Sequence, residues 1–214
     1  MSKIENPTGI PDDDFLRDGL IDRLTQYLAA EPGAWHVRYN LGVALAHEGR
    51  QDEALEQFRQ VLKDSPKHLQ SLINIGGIHL SRGDAGEALK AFTSALSVWD
   101  VPLVRANLAV AYLQLDQLDN AERELKRALE GDPNMPDALT NLGSVLLRLE
   151  RFEESAQASA KALELNPQFA MACNNLGLAL LALERVDEAR EQVARARELG
   201  YPVHPELLAS LGLG

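Results

Sequence analysis

Apolar residues return along this chain at helical spacing, in paired segments punctuated by Gly, Asp or Pro. Residues 136–167, PDALTNLGSVLLRLERFEESAQASAKALELNP, show the pattern most clearly. A helix advances about 100° per residue, so Leu139, Leu142, Gly143 and Leu146 share one face of a first helix. Ser155, Ser159 and Ala162 share one face of a second. The unit recurs along the chain. The triplet Asn141-Leu142-Gly143 is echoed at Asn40, Asn74, Asn107 and Asn175, with spacings of 34, 33, 34 and 34. With the first position of each unit set at Trp35, Leu69, Pro102, Pro136 and Ala170, the pattern predicts five helix pairs over 35–68, 69–101, 102–135, 136–169 and 170–203.

Three kinds of position carry the register. The fourth, seventh and eleventh face the interior from the first helix: Arg38, Leu72, Arg105, Leu139 and Cys173; Leu41, Ile75, Leu108, Leu142 and Leu176; Leu45, His79, Tyr112, Leu146 and Leu180. A Gly or Ala at the eighth lets two helices approach closely. In the second helix the twentieth is small (Ala54, Ala88, Ala121, Ser155, Ala189), and the twenty-fourth and twenty-seventh hold residues such as Phe58, Phe92, Val61 and Ala95. Pro66, Pro133 and Pro167 close three of the units. On these residues the chain resembles the tetratricopeptide repeat family over roughly residues 35 to 201. The resemblance implies an all-α fold, a right-handed solenoid of stacked helix-turn-helix repeats, in which no single repeat buries its own apolar stripe and neighbours share one core.

The segments outside the repeats have readings of their own. Residues 1–11, with Pro7, Gly9 and Pro11 among polar neighbours, read as a flexible tail. Asp12 to Asp14 open a capping helix over 12–31, where negative charge favours a helix N-terminus. The first two repeats turn at Gly49 and Gly83. The second repeat is one residue short and ends in Trp99-Asp100-Val101 instead of Asp-Pro or Asn-Pro, leaving Trp99 as either an exposed contact or a buried plug. Ser155 and Ser159 stand where Ala and an aromatic are usual, so the fourth repeat is expected to pack more thinly. Residues 204–214 read as a C-terminal cap, with a short helix over 205–211.

Composition narrows the function classes. A net charge of −11 disfavours nucleic acid and anionic membranes, both of which attract clustered Lys and Arg. No stretch has the length and apolarity of a membrane span or a secretory leader, so a cytoplasmic protein is expected. Cys173 at an interior position reads as a small core residue. His36 and His47 lie about 16 Å apart along one helix, too far to share a metal. No cofactor, metal site or catalytic group is expected, and the chain reads as a non-enzyme.

The expected binding surface is the face of the first helices opposite the stripe, which in a curved stack lines the concave wall. Its residues are Tyr39, Asn40, Val43 and His47; Ile73, Asn74 and Leu80; Leu103, Asn107, Val110 and Leu113; Asn141, Ser144 and Arg148; Asn175 and Leu178. An asparagine amide offers two donors and two acceptor lone pairs, so the column Asn40, Asn74, Asn107, Asn141 and Asn175 has two readings. It either holds the backbone of an extended peptide or stabilises helix contacts. The first reading resembles the asparagine ladder in the repeats of O-linked N-acetylglucosamine transferase, whose catalytic domain has no counterpart here. Tails ending in Glu-Glu-Val-Asp are excluded, because Tyr39, Leu103 and Asn107 occupy positions where the carboxylate-clamp subclass needs Lys or Arg. The expected partner is a protein: an extended peptide or amphipathic helix with apolar side chains, held by a scaffold or adaptor during complex assembly. The alternative is self-assembly, in which the groove of one copy takes the tail or capping helix of another.

Overall fold

The computed structural model describes residues 19–214. The expected tail and the Asp12–Asp14 helix start lie outside the described residues. Among those described, every regular element is a helix, and the chain divides into two compact units between Trp99 and Asp100.

The first unit contains α1 (Leu20–Ala30), α2 (Trp35–His47), α3 (Gln51–Asp64), α4 (Leu69–Ser81) and α5 (Ala85–Val98). The second contains α6 (Pro102–Gln114), α7 (Leu118–Gly131), α8 (Pro136–Arg148), α9 (Phe152–Leu165), α10 (Ala170–Ala182), α11 (Val186–Glu198) and the short α12 (Pro205–Ser210). The helices α2, α4, α6, α8 and α10 begin at the residues that open each sequence unit, and each packs on the helix that follows it.

Local chemistry sets these boundaries. Pro stands at the start of α6, α8 and α12, where its missing N–H is not needed. His68 caps α4, its Nδ1 accepting from the Ser71 N–H at 3.3 Å. Each first helix of a pair ends in one residue with positive φ: Gly49, Gly83, Asp116, Glu150 and Glu184, at φ 76, 79, 59, 58 and 61°. The following residue donates back to the helix at 2.9 Å in all five: Arg50 to Leu45, Asp84 to His79, Gln117 to Tyr112, Arg151 to Leu146 and Arg185 to Leu180. This bond closes a Schellman-type stop. It holds Asp116, Glu150 and Glu184 in a conformation that glycine adopts more readily.

The core follows the register. Ala54, Phe58 and Val61; Ala88, Phe92 and Ala95; Ala121, Leu125 and Ala128; Ser155, Ser159 and Ala162; and Ala189, Val193 and Ala196 are all fully buried. Glycines at the eighth position receive the residue sixteen further on. A Cβ on Gly42 would stand 2.7 Å from Phe58, one on Gly76 2.5 Å from Phe92, and one on Gly177 2.6 Å from Val193. In the fourth pair the aromatic is replaced by Ser159, whose Oγ is buried without a hydrogen-bond partner, while Ser155 Oγ donates to the Gly143 carbonyl at 2.8 Å. This pair therefore closes through a hydrogen bond and a bare hydroxyl instead of a ring.

Two interior positions of the first helices hold arginine. Arg38 donates to the Pro32 carbonyl at 2.7 Å and to Gln57 Oε1 at 3.3 Å. Arg105 bridges Asp100 and the buried Glu124, each at 2.5 Å. Trp99 is 70% exposed, which settles its two readings in favour of the exposed one. At the other end Leu211 is buried, and its carbonyl accepts from Arg190 Nε at 2.8 Å, so the residues after α12 close the last pair.

Candidate functional site

In the first unit, α2 and α4 carry Tyr39, Asn40, Val43, His47, Ile73, Asn74 and Leu80. All are partly exposed except His47, which is fully on the surface. Asn74 Nδ2 donates to the Tyr39 hydroxyl at 3.3 Å, and Asn40 is also engaged within the protein. Tyr39 lies against His68 edge-on, ring centroids 4.9 Å apart, and Trp35 lies against the same imidazole at 5.2 Å. Burial among these rings lowers the His68 pKa from its ordinary value. The neutral ring is the form that caps α4.

In the second unit, α6, α8 and α10 carry Leu103, Asn107, Val110, Leu113, Asn141, Ser144, Arg148, Asn175 and Leu178. Leu103 is 54% exposed. Asn107, Val110, Leu113, Asn141, Ser144 and Leu178 are partly exposed, and Arg148 pairs with Asp116. Asn175 departs from the expectation that it faces a ligand. It is 5% exposed, and its Nδ2 donates to the Thr140 carbonyl at 3.1 Å and to Ser144 Oγ at 2.7 Å. Both of its donors are satisfied inside the protein, so it joins α10 to α8.

The asparagine column therefore divides. Asn74 and Asn175 tie one first helix to its predecessor, which is the helix-contact reading. Asn107 and Asn141 have side-chain amides with no partner among the described residues, and Asn107 shares its face of α6 with Leu103, Val110 and Leu113. Charge is sparse on the first helices, and of their cations Arg38 and Arg105 stand at interior positions while Arg148 is paired with Asp116. The five first helices hold three cations, Arg38, Arg105 and Arg148, and one anion, Asp137, a net +2 in a chain of net −11.

Burial pushes the Cys173 thiol up, away from the thiolate a nucleophile needs. Among the described residues no group of three or more His, Cys, Asp or Glu is arranged to hold a metal ion, and no helix is long and apolar enough to cross a membrane.

Comparison with known proteins places this architecture. The structure resembles that of YrrB, described as a TPR protein with an unusual peptide-binding site, with a TM-score of 0.72 at 21% identity over 90% of this chain and 100% of that one. It resembles PilF of Pseudomonas aeruginosa with a TM-score of 0.75 at 19% identity, over 94% of this chain and 99% of the other. In sequence, 111 residues, 51% of this chain, are 31% identical to the CTR9 homolog of Arabidopsis thaliana, a match that spans only 10% of that protein. The tetratricopeptide repeat model matches residues 21–68, 52–100, 106–168 and 140–200. The chain belongs to the tetratricopeptide repeat family.

Proposed function

We propose that this protein is a cytoplasmic adaptor that holds an extended peptide of a partner protein on the first-helix face of its second unit. Proteins of this family are generally non-catalytic interaction modules, and the fold is that of a protein-interaction scaffold. The observation that carries the finer reading is the pair of unpartnered amides, Asn107 on the apolar face of α6 with Leu103, Val110 and Leu113, and Asn141 on α8. An amide without a protein partner at the edge of an apolar face offers donors and an acceptor to a peptide backbone, and the neighbouring apolar groups cover its side chains. YrrB, with its peptide-binding site, supports the class of ligand. With a single anion on the first helices, the face suits a peptide segment rich in uncharged and apolar residues.

The reading is tested by selecting displayed peptides on the immobilised protein and measuring the selected sequences by fluorescence polarisation. Leu113→Glu is expected to weaken them by about 10- to 100-fold, and Asn107→Ala and Asn141→Ala by smaller factors each. Failure to select any peptide, or selected peptides indifferent to all three changes, refutes it.

A further inference from the structure

A cleft of about 420 Å³ opens between α9, α10 and α11, away from the first-helix wall. Its apolar lining comes from Ala156 and Ala160 of α9 and from Leu176, Leu180 and Leu183. The preceding pair shows why it is open. There Arg151, which follows the turn at Glu150, reaches Glu122 of α7 at 2.7 Å, and Lys126 joins the same carboxylate at 2.6 Å. The residue equivalent to Glu122 in α9 is Ala156, and the residue equivalent to Lys126 is Ala160. Arg185 pairs with Glu188 at 2.6 Å just as Arg151 pairs with Glu154 at 2.5 Å, but, unlike Arg151, it has no carboxylate to reach on the preceding second helix. Two alanines thus remove the bridge that crosses the equivalent place between α7 and α9.

What is left has a definite chemistry. Glu153 and Glu191 stand at the cleft with no ion-pair partner among the described residues. Gln192 also lines it, with its Oε1 buried and without a hydrogen-bond donor. A buried acceptor left unpaired is costly, and turning the Gln192 amide into the cleft to meet a ligand's donor relieves that cost. We propose that this cleft is a second interaction site, which takes a leucine-like side chain carried beside Lys or Arg on an amphipathic segment of a partner protein. The apolar group fills the space over Leu176, Leu180 and Ala160. The cation lies against Glu153 and Glu191, and a donor from the segment satisfies Gln192.

The test uses the full chain and two synthetic amphipathic peptides, one of leucine and lysine and one of leucine and glutamate, titrated while backbone and side-chain amide signals are followed by NMR. The leucine-lysine peptide is expected to shift Ala156, Ala160, Leu180 and the Gln192 amide, and the leucine-glutamate peptide is not. Ala156→Glu supplies the carboxylate that Arg185 lacks and should weaken binding about tenfold or more, while Leu113→Glu on the first-helix wall leaves it unchanged. The exposed double change Glu153→Lys/Glu191→Lys gives a second check that does not touch the core. It should abolish the preference for the basic peptide. Shifts spread over the acidic surface, no shifts at the cleft, or binding indifferent to both closing and charge reversal would overturn the proposal.

Discussion

Ser159 is fully buried and its hydroxyl finds no partner, although it lies at the centre of the α8–α9 pair. Replacing it with Ala removes an unsatisfied polar group that costs about 1–3 kcal/mol in such a place. The change also gains about 0.5 kcal/mol of helix propensity. Against this stands a void of roughly 20 Å³, worth about 0.5 kcal/mol at about 24 cal/mol per Å³. The net is a stabilisation of about 1–3 kcal/mol, a rise of several degrees in melting temperature for a chain of this size. Ser155→Ala on the same face should go the other way, because it removes the 2.8 Å bond to the Gly143 carbonyl. Gly143 supplies a cross-check. A Cβ there would stand 2.5 Å from Ser159 Oγ, but the next atoms are 3.6 Å and 3.7 Å away, at ordinary contact distance. Gly143→Ala should therefore destabilise the natural chain and become neutral or favourable once Ser159 is Ala, a coupling of about 1–3 kcal/mol. Urea unfolding of the four combinations measures it. A lowered midpoint for Ser159→Ala, or an equal cost of Gly143→Ala in both backgrounds, would refute the reasoning.

Other consequences are open to measurement. Gly76→Ala should destabilise by about 1–3 kcal/mol by driving a methyl into the Phe92 ring, while its neighbour Gly77→Ala, with nothing within 4 Å, should stabilise by about 0.5–1 kcal/mol in the same denaturation assay. Glu150→Gly and Glu184→Gly relieve left-handed backbone at residues with no side-chain partner among those described, and each should raise stability by about 0.5–1 kcal/mol. Because the folded state lowers the His68 pKa, the unfolded chain takes up the proton first as the pH falls. Stability contributed by the neutral ring is present above the ordinary histidine value and declines as the pH drops below it. Thermal melts between pH 8 and 5.5 should show a smaller loss for His68→Asn, which keeps a side-chain cap without a titrating ring; an unchanged pH slope would exclude His68 as its source.

The helix starts were legible because they depend on spacing alone, and spacing survives changes of residue type. Trp35, Leu69, Pro102, Pro136 and Ala170 share no chemistry, yet each opens a helix of 13 residues. The fate of the asparagine column was not legible. Whether an amide is used depends on what the previous first helix presents at stacking distance. Tyr39 and Ser144 offer an acceptor to Asn74 and Asn175, and within the second unit no such partner among the described residues meets Asn141. Arg38 and Arg105 sit at interior positions that the pattern alone makes apolar, because a long stem can lie in the stripe while its head finds oxygen outside. The turns at Asp116, Glu150 and Glu184 carried no glycine signal, since a hydrogen bond, not residue preference, holds their backbone. The cleft at Ala156 follows from an absent side chain and shows only by contrast with Glu122.

The separation of charge also decides how approaching molecules are sorted. With +2 on the first helices in a chain of −11, the second helices, turns and ends together hold −13. Within either unit, an acidic protein, including another copy of this one, meets repulsion when it approaches those segments and little when it approaches the nearly uncharged first-helix face. Collisions are thereby filtered by orientation before any contact forms. Added salt, which shortens the reach of that repulsion, should relax the filter and leave the contacts themselves nearly unchanged.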